Sequence, residues 1–240
     1  MSGVVFAETL RRHVRHGAYL TAIAVLAILA ATAGSVGGNP SLWLTFVTLG
    51  TIIIGCQLIG PEFSSGTLQL VLAKPVNRSA YLLSRFAGVV VAAWILVTLP
   101  MLFDVLARIF FQHQELHSAD FAVPVNTGIE NLMLCALLAL FGAMTRSYLN
   151  VALYFLGEIT LYALDSGLRS IARHDYAPSS FLRDHPGIEK GVVAIIRTLY
   201  PEGPPTFDWR WTVTVVSNVV VALLLACLIF RRREVPYGAD

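Results

Sequence analysis

Charge is scarce in this sequence. Only 13% of its 240 residues are Asp, Glu, Lys or Arg, against 56% that are hydrophobic, and the mean hydropathy is +0.68. So few charges cannot cover the surface of a soluble domain, so the composition excludes an ordinary globular protein and implies an integral membrane protein. Cysteine is also rare. Cys56, Cys135 and Cys227 all fall in apolar runs, where a thiol acts as a small apolar side chain, and their odd number argues against a disulfide framework or a metal cluster. No G-x-x-x-x-G-K-[ST] phosphate loop occurs, so the chain lacks the usual means of hydrolysing ATP and is expected not to be an enzyme. The first apolar run is expected to be a retained span and not a secretory signal.

What the sequence does have is six apolar segments that approach or reach the ~17–25 residues a bilayer-crossing helix needs. They lie at about 18–35, 43–60, 86–107, 128–145, 149–166 and 211–230. The expected fold is an all-α integral membrane protein, a single domain over 1–240 with six transmembrane helices. Basic residues sort unevenly among the connections. Arg11, Arg12 and Arg15, then Lys74, Arg78 and Arg85, then Arg146, then Arg231, Arg232 and Arg233 fall on one side. Only Glu8, Glu62, Glu234 and Asp240 stand against them there. By the positive-inside rule both termini and the connection 61–85 are cytoplasmic. The outer connection 167–210 holds six basic residues, but it is long and its acids nearly balance them.

Residues 3–16 predict an amphipathic helix in the headgroup plane, with Phe6, Leu10 and Val14 at four-residue steps opposite the arginines. Gly34 to Pro40 predicts a tight outer turn. Pro100 marks the end of the third span, and beyond it Asp104 and Arg108 share a helix face and can pair. His113 and His117 have metal-ligand spacing, but Gln114 stands where a zinc protease needs glutamate, so a solvated polar loop is expected. Glu158, flanked by Tyr154 and Tyr162, is costly if it faces lipid and should face a bundle interior, a dimer seam or a wet cavity. In 167–210, Ile188, Val192, Ile195 and Leu199 form an apolar stripe, and Phe207, Trp209 and Trp211 an aromatic belt. The three terminal arginines are a stop-transfer cluster, not a nucleic-acid site.

The most patterned interval is Ile59 to Arg85. Pro61 stops the incoming helix, Glu62 suits the start of a helix, Gly66 permits close backbone approach, and Leu68, Leu70 and Leu72 supply apolar surface before Lys74-Pro75 ends the unit. Glu62, Gly66-Thr67-Leu68, Leu70, Lys74-Pro75-Val76 and Arg78-Ser79 resemble the E-x-x-x-G-T-L-x-L-x-x-x-K-P-V-x-R-S signature of type-2 ABC exporter permeases. The chain departs from it at Phe63-Ser64-Ser65 and Gln69, where relatives carry more charge. The resemblance implies that this loop, between spans 2 and 3, holds a cytoplasmic coupling helix that docks on a separate ABC ATP-binding subunit, which binds ATP and Mg. It also implies no cofactor in this chain, a second permease subunit (a copy or a related paralogue), a bacterial inner membrane, and an interfacial helix before the first span. The competing expectation is an ATP-independent secondary transporter, or another multispan protein, that uses Glu158 and Asp104.

Overall fold

The computed structural model describes residues 3–59, 77–113, 118–145, 148–173, 203–204 and 206–232, with 191, 194–196 and 198. Among them all regular structure is helical: α1 (Gly3–Val14), α2 (Gly17–Val36), α3 (Ser41–Gly55), α4 (Arg78–Gln112), α5 (Ser118–Met144), α6 (Leu149–Arg173) and α7 (Trp209–Arg232). The chain forms two compact units, residues 1–151 with 203–240, and residues 152–202.

Among the described residues four helices are long and apolar enough to cross a membrane, not the six expected: α2, α4, α5 from Asp120, and α7. The second expected span is α3, which stops at Gly55 after 15 residues. The fifth is the first part of α6, apolar only over Leu149–Leu164. All four spans are longer than their apolar runs. α4 begins at Arg78, inside the connection expected to run to residue 85, and passes through Pro100 without ending. Proline is tolerated inside membrane helices because neighbouring groups satisfy the backbone it frees. At 35 residues α4 is about 52 Å long, well over the ~30 Å hydrocarbon thickness.

The first unit is built on α4 and α5. In α5 two-thirds of the apolar window is buried, whereas α2 and α7 each bury 28% of theirs. Small residues set the spacing. Ala27, Ala30 and Gly34 of α2 are buried, as are Ala92, Ala93 and Ala107 of α4, which lets the backbones approach closely. On the other side of α5, Cys135, Ala136, Ala139 and Ala143 are buried, as are Val215, Val219, Ala222 and Ala226 of α7, spaced at steps of three and four. The outer faces remain apolar: Val25 and Ile28 of α2, Phe103 and Leu106 of α4, and Leu224 and Leu228 of α7 are exposed. Holding each in water would cost about 1.5–3 kcal/mol, so these faces belong in lipid. The protein is a helical membrane protein.

The amphipathic α1 packs on α4, and the centre of its buried face differs from the expected stripe. Thr9 and His13 are buried, while Phe6, Leu10 and Val14 flank them half-buried. The contact forms where Thr9 meets Gly88: a Cβ there would come within 2.9 Å of the threonine side chain. Tyr19 then donates its hydroxyl to the Ala92 carbonyl at 2.7 Å, fixing the start of α2 on α4.

In the second unit, Tyr154 is buried and stacks edge-on against Phe155, with ring centroids 5.6 Å apart. Of the apolar stripe expected at 188–199, Ile195 is described and is exposed, while its neighbour Ile196 is buried. Ile188, Val192 and Leu199 lie outside the described residues.

Candidate functional site

Glu62, Gly66, Thr67, Leu68, Leu70, Lys74 and Pro75 lie outside the described residues, as does His117. The two ends of their connection are described, and the polar chemistry of the first unit gathers there and at the opposite end of α4.

At the C-terminal end of α4, the one expected to be outer, α2 closes with Gly37 in the left-handed region at φ 69°. Its N–H bonds the Gly34 carbonyl, and the Gly38 N–H bonds that of Ala33. This termination leaves carbonyls near the end of α2 to be satisfied from elsewhere. α4 supplies the donors. Gln112 Nε2 donates to the Ser35 carbonyl at 3.0 Å, and Arg108 Nη2 to that of Gly38 at 3.1 Å. Arg108 Nε also donates to Asp104 Oδ2 at 3.2 Å, so the pair suggested by the i,i+4 spacing is formed. Gly34 is required by this contact, since a Cβ would meet both the backbone and the carboxylate oxygens of Asp104 within 3 Å. The geometry therefore makes Asp104 and Arg108 a clamp on the end of α2. His113 follows as the left-handed cap of α4 at φ 52°.

At the N-terminal end of α4, the one expected to be inner, the same device recurs on α3. Beyond Gly55 the chain tightens, Gln57 N–H bonding the Ile54 carbonyl and Leu58 N–H that of Gly55. The carbonyls that follow are held from two helices. Buried Arg85 donates from Nε and Nη2 to the Leu58 carbonyl at 3.2 and 3.1 Å, and from Nη2 to that of Gln57 at 3.3 Å. Asn150, fully buried at the start of α6, donates to the Cys56 carbonyl at 3.3 Å. Leu58 and Ile59 are themselves fully buried, so the chain enters the connection from a fixed point. It leaves through Asn77, whose side chain caps α4 by accepting the Ser79 N–H at 3.0 Å.

His13 adjoins this inner clamp. Its Nδ1 lies 2.8 Å from the Thr9 carbonyl, and its buried Nε2 has no partner among the described residues. Burial holds its pKa below the usual imidazole value, and the Arg85, Arg12 and His16 charges push the same way, against the hydrogen bond to Thr9.

α5 carries a third polar set that lacks any motif. Asn126 donates to the carbonyls of Pro204 and Thr206 at 2.8 and 3.3 Å, and the Gly203 N–H bonds the Glu130 carboxylate. These contacts tie the chain entering α7 to α5. Asn131 is buried, and neither polar atom of its side chain has a partner among the described residues.

Glu158 is half-buried in the second unit, between buried Tyr154 and exposed Tyr162. Cys56, Cys135 and Cys227 are free thiols. Among the described residues no three His, Cys, Asp or Glu side chains group as a metal site.

No protein-family model matches the chain, and no curated protein sequence is significantly similar to it.

Sequence reasoning assigned Asp104 to Arg108 correctly as a pair. It missed Asn150, Gln112 and Glu130, and it counted Arg85 only as loop charge. The available signal for Arg85 was a cation directly at the mouth of a long apolar run, with no acid at helical spacing to pair with it.

Proposed function

We propose that this chain is the membrane-spanning permease subunit of an ABC exporter. It forms the translocation pathway with a second permease subunit and couples to a separate ATP-binding subunit through residues 61–85. Both termini and this connection face the cytoplasm, α1 lies at the inner interface, and α3 and α6 complete six crossings with the four longer helices. ATP and Mg are bound by the partner, which hydrolyses ATP in place of this chain.

The observation that carries this reading is the joint spacing of Glu62, Gly66-Thr67-Leu68, Leu70, Lys74-Pro75 and Arg78 between two apolar runs. It is supported by how the ends of the connection are held. A loop that transmits force must be anchored to the helices it moves, and Arg85 ties α4 to the residues at which α3 gives way to the loop. Such a loop transmits only the difference between its contacts in the two nucleotide states. The secondary-transporter alternative is less well supported, because Asp104 is already engaged with Arg108 on the end of α2.

The test is co-purification in mild detergent with a soluble ATPase that carries a phosphate loop, with ATP turnover measured in the same preparation. Glu62→Lys and Gly66→Val are expected to leave the chain folded and to weaken association or lower the turnover the permease supports. Normal association and turnover with both variants would refute the assignment.

A further inference from the structure

Asn131 of α5 is 1% exposed, and neither its amide nitrogen nor its side-chain oxygen has a partner among the described residues. Leaving both unmet inside a membrane bundle is costly, so the side chain calls for a ligand.

The surroundings of Asn131 follow from contacts on either side of it. A Cβ on Gly55 of α3 would come within 2.6 Å of Leu138, and one on Gly142 would lie 3.9 Å from Ile59. Both contacts keep the same offset, so α3 and α5 run parallel. Asn131, seven residues before Leu138, shares its α3-facing side and stands level with Thr48. α4 runs the other way, since Gly50 meets Leu96 and Arg85 holds Leu58. Thr48 is therefore level with the turn of α4 just beyond Leu96, and the three helices pack on one another in pairs.

At that level α4 lacks a donor. Pro100 has no N–H, so the carbonyl four residues before it, that of buried Leu96, loses its helical hydrogen bond. The hydroxyls nearby are committed to their own helices. Thr98 donates to the Trp94 carbonyl at 2.9 Å, Thr48 to that of Leu44 at 3.3 Å and Thr51 to that of Val47 at 3.0 Å. An amide without a partner and a carbonyl without its donor thus share one level of a closed three-helix seam. Water has the donors and acceptors to join them, and buried water commonly bridges such groups.

We propose that internal water is bound between α5 and α4, accepting from Asn131 Nδ2 and donating to the Leu96 carbonyl. Pro100 lies between Arg85 and Arg108, so this water joins the two clamp-bearing halves of α4 through α5 where the helix lacks its own bond. The site is independent of any docking of the 61–85 connection on an ATPase, since it lies within α3, α4 and α5.

The test uses the full chain in detergent. Cys135, fully buried about one turn from Asn131, reports on water under X-ray radiolysis, because hydroxyl radicals formed from bound water oxidise an adjacent thiol. Its oxidation, read by mass spectrometry, is expected in the unaltered chain and should be lost in Asn131→Leu. Thermal midpoints separate a bridge from an unpaired amide. Asn131→Leu should lower the midpoint, and should lower it less in a Pro100→Ala background, where the Leu96 carbonyl regains a helical donor. Pro100→Ala alone should reduce Cys135 oxidation, which keeps the test open should Asn131→Leu fail to fold. Unoxidised Cys135 in the unaltered chain, or oxidation unchanged by either variant, would overturn the proposal. So would a midpoint that Asn131→Leu leaves equal or raises, because replacing an unpaired buried amide by leucine relieves a cost. The same loss in both backgrounds would overturn it too, since Asn131 and the Leu96 carbonyl would then share no bridge.

Discussion

The two ends of α4 solve the same problem with the same residue type and differ in what they hold. Arg108 and Arg85 each use a guanidinium to satisfy carbonyls at the end of a neighbouring helix, α2 beside the C-terminal end of α4 and α3 beside its N-terminal end. They lie 23 residues apart, about 35 Å along the helix, close to the thickness of the hydrocarbon layer. The outer clamp closes a tight turn: only residues 37–40 separate α2 from α3. It is internally neutralised by Asp104. The inner clamp stands at both ends of the longest patterned connection in the chain. The outer one is suited to keeping two helices together; on the coupling reading proposed above, the inner one lets a loop act on them.

Removing Arg85 should be the more damaging change. Arg85→Met leaves the Leu58 carbonyl without its donor in a place closed to water, Leu58 being fully buried, whereas the carbonyl of exposed Gln57 can turn to solvent. Each orphaned buried carbonyl costs roughly 1–3 kcal/mol, so the thermal midpoint in detergent should fall markedly. Arg85→Lys should recover part of the loss, because one ammonium can reach a carbonyl but cannot reproduce the fork. If the coupling reading holds, Arg85→Lys should also alter the ATP turnover of the assembled exporter, while Arg108→Lys should not. Equal effects of the two lysine variants on turnover would dissolve the contrast between the two ends.

Arg108→Met should cost less, about 1–3 kcal/mol. The Gly38 carbonyl is only half-buried, so water can replace one lost donor, and the abandoned Asp104 can take up a proton. Replacing the pair together, Asp104→Leu with Arg108→Met, should be milder than Arg108→Met alone, because a buried charge left single is worse than no charge. A double variant as unstable as the sum of its parts would show that the pair is not coupled. Arg85→Met and Arg108→Met, being far apart with no shared partner, should add to within about 0.5 kcal/mol in a double-variant cycle.

The clamps also mark what the sequence could and could not disclose. α2 and α7 were legible to within two residues from their apolar runs alone, because lipid-facing helices bury little and need only to be greasy. The start of α4 was not. Arg78, Ser79, Ser84 and Arg85 look like loop by composition, yet they are helical because their surroundings satisfy them. Asn77 caps the helix, Ser84 bonds its own Ala80 carbonyl, and Arg85 reaches carbonyls 27 and 28 residues back. Asn150 meets Cys56 across 94 residues, a distance at which no local pattern operates. Asp104 and Arg108 were legible because both lie on one helix. Pro100 misled because a rule from soluble helices was applied within a bundle. Of the candidate site, the motif residues lie outside the described residues, and the frame at the two ends of their connection exists only in tertiary structure.

The smallest expected effect concerns the lid of the inner clamp, where α1 lies on α4. Burial and the neighbouring charges of Arg85, Arg12 and His16 hold the His13 pKa below its usual value, against the bond to Thr9, so the folded chain carries a neutral imidazole there. A histidine with a lowered folded pKa takes up its proton more readily when released, so the docked state loses stability as pH falls below the ordinary value of 6.5. Above that pH its contribution is complete. Hydrogen exchange of α1, corrected for the intrinsic rate, should therefore show weaker protection at about pH 5.5 than at about pH 7.5, where histidine charge changes. His13→Leu should flatten that difference, and protection of α2 should not follow it. The outer clamp has no buried histidine among the described residues, so exchange at the end of α2 serves as the internal control. If α1 and the end of α2 respond alike to pH, the titrating group is not His13, and the inner end is no more responsive than the outer one.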